Sequence, residues 1–318
     1  MTRFSHPSDL SPKARSISPD TAASGTTALA VGRMWQGSLG ASANGMTCDV
    51  EDYFQVSAFE KVIPKTRWNE FECRLPRNVD RVLQLFADAG VSGTFFTLGW
   101  VAENFPEVVR RIADAGHEIA SHGMSHIRVW TQRPEEFRQD VVTAKRLLED
   151  ASGTAVHGYR APSWSLDART PWAHRILEEA GYQYSSSVYP IAHDHYGVPN
   201  APAAPFYVAA TEMLEIPAST VRFLGRNWPA AGGGYFRLLP LAASLRLLKY
   251  ARATRGVPVM FYFHPWELDP EQPRISGANR KSRFRHYVNL DKTEQRLRVV
   301  LGESSWDRLD RIFSRPTS

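Results

Sequence analysis

Four glycines, Gly90, Gly116, Gly153 and Gly181, each close a stretch of helical periodicity, and a strand-like segment follows each of them within a few residues. Residues 79–89 put Val79, Val82, Leu83, Leu85 and Phe86 on one broad face before Gly90, the pattern of an amphipathic helix with a glycine stop. Residues 94–98, Thr-Phe-Phe-Thr-Leu, then read as a buried strand. The alternation returns as a helix over 106–115 and a strand around Ile119. It returns again as a helix over 134–149, opened by Pro134, and a strand near Tyr159, and then as a helix over 171–180 and a strand over 184–188. Before these, residues 46–50 read as a strand. After them come a short strand over 214–217, a helix over 238–254, a strand over 257–263, and helices over 292–301 and 305–313. Repeated strand–helix units restrict a chain to parallel strands joined by right-handed crossovers. About seven units fit, so the expected fold is α/β, a distorted (β/α) barrel of about seven parallel strands rather than an open sheet.

Residues 1–44 are rich in Ser, Ala, Thr, Gly and Pro and lack periodicity, which predicts a disordered N-terminal tail. Residues 45–318 are expected to form a single domain, with residues from about 270 to 318 as an extension of it. Gly232-Gly233-Gly234-Tyr235-Phe236 lacks the Lys-Ser/Thr of a phosphate loop; a mobile loop over the site, or a tight turn, is expected instead. The net charge is +5, and many basic residues gather over 274–298. No nucleic-acid-reading motif accompanies them, so a solvated basic surface is expected and nucleic acid is not a partner. No run approaches the ~20 apolar residues that span a bilayer, and residues 26–31 are too short and mild for a signal sequence. The expectation is therefore a cytoplasmic protein without stable membrane insertion, with peripheral membrane association left open. Cys48 and Cys73 are too few for a disulfide framework. Cys48 reads as a buried free thiol, which suits a reducing compartment.

The polar motifs fall where such a barrel would use them. In Ser121-His122-Gly123-Met124-Ser125-His126, the two histidines point the same way if the intervening backbone makes one helical turn. Asp49-Val50-Glu51-Asp52 supplies carboxylates, and two His with one carboxylate hold a catalytic metal while leaving positions open for water and substrate. Strand alternation puts Glu51 on the same face as Asp49, whereas Asp52 reaches in if the strand has already turned; Asp52 is preferred. Asp49, His122, Arg160 and His264 all lie at or just after the C-terminal ends of expected strands, the face on which barrel active sites assemble.

Taken with Tyr159-Arg160-Ala161-Pro162-Ser163-Trp164, Gly232 to Phe236 and Phe263-His264-Pro265-Trp266-Glu267, these motifs resemble those of carbohydrate esterase family 4 polysaccharide deacetylases with a NodB-homology domain. More narrowly, they resemble the subgroup linked to exosortase (PEP-CTERM) exopolysaccharide loci. The likeness covers roughly residues 45–313. It implies a hydrolase that removes N-acetyl groups from amino sugars of an exopolysaccharide or its precursor. The partner is then an N-acetylated glycan and the cofactor a divalent metal, Zn²⁺ ahead of Co²⁺ or Ni²⁺. His122, His126 and Asp52, with Glu51 as the alternative carboxylate, would bind the metal. Asp49 would be the general base, Arg160 its clamp and His264 the general acid, while Trp164, Pro162, Ser163 and Trp266 would line the substrate groove. The family's fourth motif supplies an Asp that orients the general acid; here the stretch reads Tyr184-Ser185-Ser186-Ser187, leaving Asp194 and Asp167 as candidates. His193 and His195 flank Asp194 and are candidate substrate contacts or plain loop residues, and Glu267 and Asp269 are placed near the mouth. Two other readings stay open: an allantoinase-like amidohydrolase on a small cyclic or linear amide, and a catalytically silent glycan-binding relative.

Overall fold

The computed structural model describes residues 1, 29–37, 43–194, 196–230 and 232–313. Its strands, in chain order, are β1 (Val31–Met34), β2 (Asn44–Val50), β3 (Thr94–Thr97), β4 (Glu118–Ser121), β5 (Gly158–Tyr159), β6 (Tyr184–Ser185), β7 (Phe206–Val208), β8 (Leu214–Glu215), β9 (Thr220–Phe223), β10 (Arg226–Pro229), β11 (Met260–Phe263) and β12 (Trp306–Asp307). The helices are α1 (Leu75–Ala89), α2 (Gly99–Asn104), α3 (Pro106–Asp114), α4 (Pro134–Ser152), α5 (Ala173–Glu179), α6 (Gly233–Leu238), α7 (Leu241–Arg255), α8 (Arg280–Tyr287), α9 (Leu290–Gly302) and α10 (Leu309–Ile312). Neighbouring strands β8-β6-β5-β4-β3-β2-β11 are all parallel, which is the seven-strand α/β arrangement the alternation calls for. Helices α1 to α5 fill the crossovers from β2 to β6. The C-caps of α1 and α4 are Gly90 and Gly153 with φ of 62° and 68°, the left-handed conformation that glycine adopts without a Cβ penalty.

Distortion enters between β8 and β11. Among the described residues no ladder joins them; Met260 N–H donates to Ser219 Oγ, and Gly232 makes one parallel bridge to Tyr262. The ring nonetheless encloses an interior of Phe96, Trp164, Tyr184, Tyr189, Met260 and Tyr262, while the outer faces of the strands pack on the helices through residues such as Cys48, Phe95, Phe86 and Ile112. A third cluster around Tyr53, Phe54, Phe59 and Trp266 supports the loops at the C-terminal ends of the strands.

Glu118 ties the opposite end of the barrel. Thr94 Oγ1 of β3 and Tyr184 Oη of β6 donate to its carboxyl at 2.6 and 2.8 Å, and Asp310 N–H of α10 at 3.2 Å. Burial, with the nearby Asp310 carboxylate, pushes the Glu118 carboxyl up to about 8. A folded-state value above the unfolded 4.5 favours the protonated form in the native protein. Its stabilisation is complete below the unfolded value and is lost as pH rises through about 8. Glu118→Gln, which cannot ionise, is expected to be more stable than wild type by a few kcal/mol at pH 9 and nearly equal to it at pH 5. Urea midpoints at the two pH values check this; an equal difference at both would remove Glu118 as the source.

Three sequence expectations change. Within the span read as a tail, Val31–Met34 pairs antiparallel with β7. Its side chains are exposed throughout, and besides the backbone ladder only Arg33 is seen to tie it down, over the Tyr207 ring at 3.7 Å and 3.5 Å from Glu212, so no apolar pattern announces it; residues 2–28 and 38–42 lie outside the described residues. The helix expected over 305–313 is instead the pair β12 and α10, β12 running alongside β2. The glycine run is a close approach: Gly232 (φ 114°) opens α6, and a Cβ there would overlap the Tyr262 carbonyl oxygen. No helix among the described residues is long and apolar enough to cross a membrane.

Candidate active site

β2 delivers its carboxylates by alternation. Cys48 and Val50 face the outer core, while Thr47 and Asp49 face the interior, and Glu51 continues on the Asp49 side just past the strand end. One ligand atom each from Glu51, His122 and His126 lies within 4.8 Å of the others, so the three could hold a metal ion. Glu51 Oε2 is buried 2.8 Å from His126 Nε2 without a hydrogen bond of good geometry among the described residues. Burial raises the Glu51 carboxyl, but the adjacent His126, through its charge and its close polar contact, and the charges of His264 and His122 outweigh it and bring it down to about 2. His122 Nδ1 lies 2.8 Å from the Arg160 carbonyl oxygen, which can only accept. Nδ1 therefore carries the proton, and Nε2 presents its lone pair to the site. Burial holds His122 down at about 4, so it is the neutral ligand form near pH 7.

The histidine pair is not helical. The intervening backbone is a loop, with Gly123 at φ 74° and His126 at φ 55°. Gly99 and Trp100 N–H donate to the carbonyls of Gly123 and Met124, and Met124 N–H donates to Asp140 Oδ1. These bonds hold His126 in a conformation that costs a non-glycine residue about 1–3 kcal/mol.

Asp52, preferred as the third ligand, is occupied elsewhere. It accepts N–H from Tyr53, Arg74 and Leu75 at 2.8, 2.6 and 3.0 Å, and so caps the start of α1. Burial pushes its carboxyl up to about 6. The Asp49-to-Glu51 alternation persists past the last paired residue, so the turn brings Asp52 to the helix rather than to the imidazoles.

Arg160 is fully buried and spans the barrel interior. Nη1 donates to Asp49 Oδ1 at 2.5 Å and to Thr47 Oγ1 at 2.9 Å, and Nε donates to the Ser186 carbonyl at 3.1 Å. The guanidinium lies 3.9 Å from the centre of the Phe96 ring. Asp49 is thus fixed through one oxygen, and Oδ2, 4.0 Å from His264 Nε2, faces the site.

His264 follows β11 and caps a 3₁₀ turn, Pro265–Leu268. That turn brings the side chain three residues on back beside it: His264 Nδ1 is 2.5 Å from Glu267 Oε1. Arg237 of α6 donates to Glu267 Oε2 at 2.8 Å, so the glycine run that seats α6 against β11 also delivers this guanidinium. Burial would lower the His264 pKa, but the Glu267 hydrogen bond and the Glu51, Glu267 and Asp49 charges raise it to about 9. Neither candidate orienting residue does this: Asp167 pairs with Arg169, and Asp194 with Lys281 and Arg285. The signal for Glu267 was its spacing, a carboxylate three residues after a histidine across a proline-initiated turn. Asp269, beyond it, pairs with Arg74 and Arg77 of the α1 region.

Residues 63–185 match the family model described as polysaccharide deacetylase. The chain carries a polysaccharide deacetylase domain. Residues 186–314 match a second family, described as a domain of unknown function (DUF3473). The deacetylase segment contains His122, His126 and Arg160; Asp49 and Glu51 precede it, and Arg237, His264 and Glu267 come from the second segment. A peptidoglycan deacetylase of Helicobacter pylori is 31% identical over 35% of this chain and 36% of its own length. A chitooligosaccharide deacetylase of a Bradyrhizobium species is 36% identical over 27% and 41%. The chain thus spans well under half the length of these relatives. The fold is shared with a putative polysaccharide deacetylase from Mycobacterium smegmatis, at a TM-score of 0.60, 21% identity and coverage of 90% and 93%. It is also shared with Puue allantoinase, at 0.55, 16%, 89% and 94%.

The aromatic residues expected to line the deacetylase groove have their faces covered. Trp164 is buried among Tyr189, Tyr262 and the Arg160 guanidinium. Trp266 stacks on His286 at 4.1 Å and on His264 at 5.2 Å. Both indoles set the positions of charged groups instead of offering a platform. Pro162 is buried, and Ser163 Oγ pairs with Ser57 Oγ at 2.5 Å. His193 stacks on Tyr196 at 4.0 Å; His195 lies outside the described residues.

Proposed function

We propose that this chain is a metal-dependent hydrolase that removes N-acetyl groups from amino sugars of an exopolysaccharide or its precursor. One observation carries the reading: Glu51, His122 and His126 converge beside a carboxylate held by a guanidinium and an imidazole backed by a carboxylate. Two imidazole nitrogens and one carboxylate oxygen suit Zn²⁺ first, with Co²⁺ or Ni²⁺ able to take the same set. Glu51 Oε2, buried without a hydrogen bond of good geometry among the described residues, is the atom that a cation would satisfy. A cation held there supplies Lewis acidity and makes water acidic near neutral pH. Asp49, oriented by Arg160, receives the proton of the attacking water. His264 gives a proton to the departing amine nitrogen, and Glu267, kept in place by Arg237, stabilises the protonated ring.

The activities named for the relatives, on peptidoglycan and on chitooligosaccharides, support an N-acetyl amide as the bond cleaved. A cavity of about 330 Å³ that His126 lines together with Gln55, Lys65, Trp68 and Ser125 leaves room for a sugar unit next to the candidate metal site. Gln55 Nε2 borders it, buried and without a partner among the described residues. Purified protein with Zn²⁺ or Co²⁺ is expected to release acetate from N-acetylated oligosaccharides, and a chelator to stop it. Cleavage of an allantoin-type amide with no acetate from any glycan would decide for the small-amide reading.

A further inference from the structure

The β9–β10 hairpin carries side chains that folding does not explain. Its register pairs Val221 with Trp228, Phe223 with Arg226, Arg222 with Asn227 and Thr220 with Pro229. Alternation therefore puts Val221, Phe223, Arg226 and Trp228 on one face, and Thr220, Arg222, Asn227 and Pro229 on the other. On the first face Phe223 is 62% and Trp228 49% exposed. The turn is Leu224-Gly225, with φ of 49° and 73°, a two-residue connection with both residues left-handed, for which Asn-Gly is favoured. Leu224 is strained there and 82% exposed, an apolar side chain held in water at a cost of about 1–2 kcal/mol in backbone energy.

The second face borders a cavity of about 490 Å³, where Thr220, Arg222 and Asn227 meet Asn200, Tyr250 and Arg255. Among the described residues no carboxylate lines it. Among the same residues, one terminal nitrogen of Arg255 and Thr220 Oγ1 are buried without partners, and Thr220 is 2% exposed. Burial alone brings the Arg255 guanidinium down to about 10, with no acid facing it. Its place in the last turn of α7 sets it near the negative end of the helix but leaves that nitrogen unsatisfied. A guanidinium nitrogen buried without a partner is costly, and an oxyanion relieves it. Residues 216–266 contain seven Lys and Arg residues and no Asp or Glu; Arg237 and Lys249 pair with Glu267 and Glu303, and Arg222 and Arg226 lie on the hairpin itself.

We propose that the β9–β10 hairpin docks on an anionic phospholipid surface, with Leu224, Phe223 and Trp228 entering the headgroup region and Arg222 and Arg255 receiving a lipid phosphate in the cavity behind. The dimensions agree. Arg222 lies two residues from the tip, about 7 Å along a strand, and interfacial elements sink roughly 5–10 Å. Charge complementarity selects an acidic surface, and a tryptophan beside apolar residues suits the boundary between water and lipid. None of these residues belongs to the candidate metal site, so the proposal stands apart from the deacetylase reading.

Sedimentation of the full chain with vesicles tests it. Binding is expected to phosphatidylcholine vesicles containing phosphatidylglycerol and not to phosphatidylcholine alone. Leu224→Asn suits the turn, so its thermal midpoint should equal or exceed that of wild type while vesicle affinity falls roughly tenfold or more. Arg222→Gln with Arg255→Gln should weaken binding and flatten its salt dependence. Unchanged binding by Leu224→Asn would overturn the proposal. So would stabilisation by inorganic phosphate without any binding to acidic vesicles, which would assign the cavity to a soluble anion.

Discussion

Glu51→Gln is expected to abolish stoichiometric metal binding and acetate release together, whereas Asp52→Asn is expected to keep both. The two carboxylates are neighbours in sequence but lie in different surroundings. Glu51 Oε2 sits 2.8 Å from His126 Nε2 without a hydrogen bond of good geometry among the described residues, and an amide in its place cannot supply the anionic oxygen that a divalent cation needs. Groups that merely support metal ligands are worth 10–100-fold in affinity, so loss of a direct ligand should exceed about 100-fold. Asp52 holds the backbone N–H groups of Tyr53, Arg74 and Leu75. Asparagine keeps one acceptor oxygen but turns an amide donor toward a buried backbone N–H and loses the charge near the helix start, so the cost is about 1–3 kcal/mol of stability. Metal content by elemental analysis, with thermal midpoints, separates the two. A metal-free Asp52→Asn beside a loaded Glu51→Gln would reverse the assignment.

A second large effect is expected at His264. His264→Ala should retain the metal and lose about 10²–10⁴ in kcat, the range for removal of a general acid. Glu267 acts through that ring, so Glu267→Gln should lower kcat about 10–100-fold with KM and metal content little changed. It should also destabilise the fold by about 3–5 kcal/mol, because Arg237 would be left as a buried guanidinium without its carboxylate. The kcat-against-KM split distinguishes positioning from simple loss of folded protein. Arg237→Leu combined with Glu267→Gln should recover stability but not rate. Full kcat in Glu267→Gln would remove it from the proton-transfer chain.

Much of the barrel was legible because its signals are local. The stops at Gly90, Gly116, Gly153 and Gly181 and the strand-like segments after them reflect backbone conformation and burial periodicity, both written residue by residue. The strand-end positions of Asp49, His122, Arg160 and His264 followed from the same count. β1 was not legible, since four exposed residues held by a backbone ladder and one arginine contact leave no apolar pattern. Nor was the choice between Glu51 and Asp52. Alternation along β2 favoured Glu51, but only the position of α1 shows that Asp52 is drawn off by N–H groups 22 and 23 residues away.

By itself, then, the order of residues determined the α/β class, the parallel barrel and the cluster of motifs at one end of it, because helix stops, strand runs and alternation are short-range properties. Tertiary structure alone decided which carboxylate faces the imidazoles, that Glu267 and Arg237 back His264, and that Trp164 and Trp266 are covered. Those outcomes depend on contacts between segments tens to hundreds of residues apart, where small shifts in packing decide which of several chemically similar side chains reaches a common point.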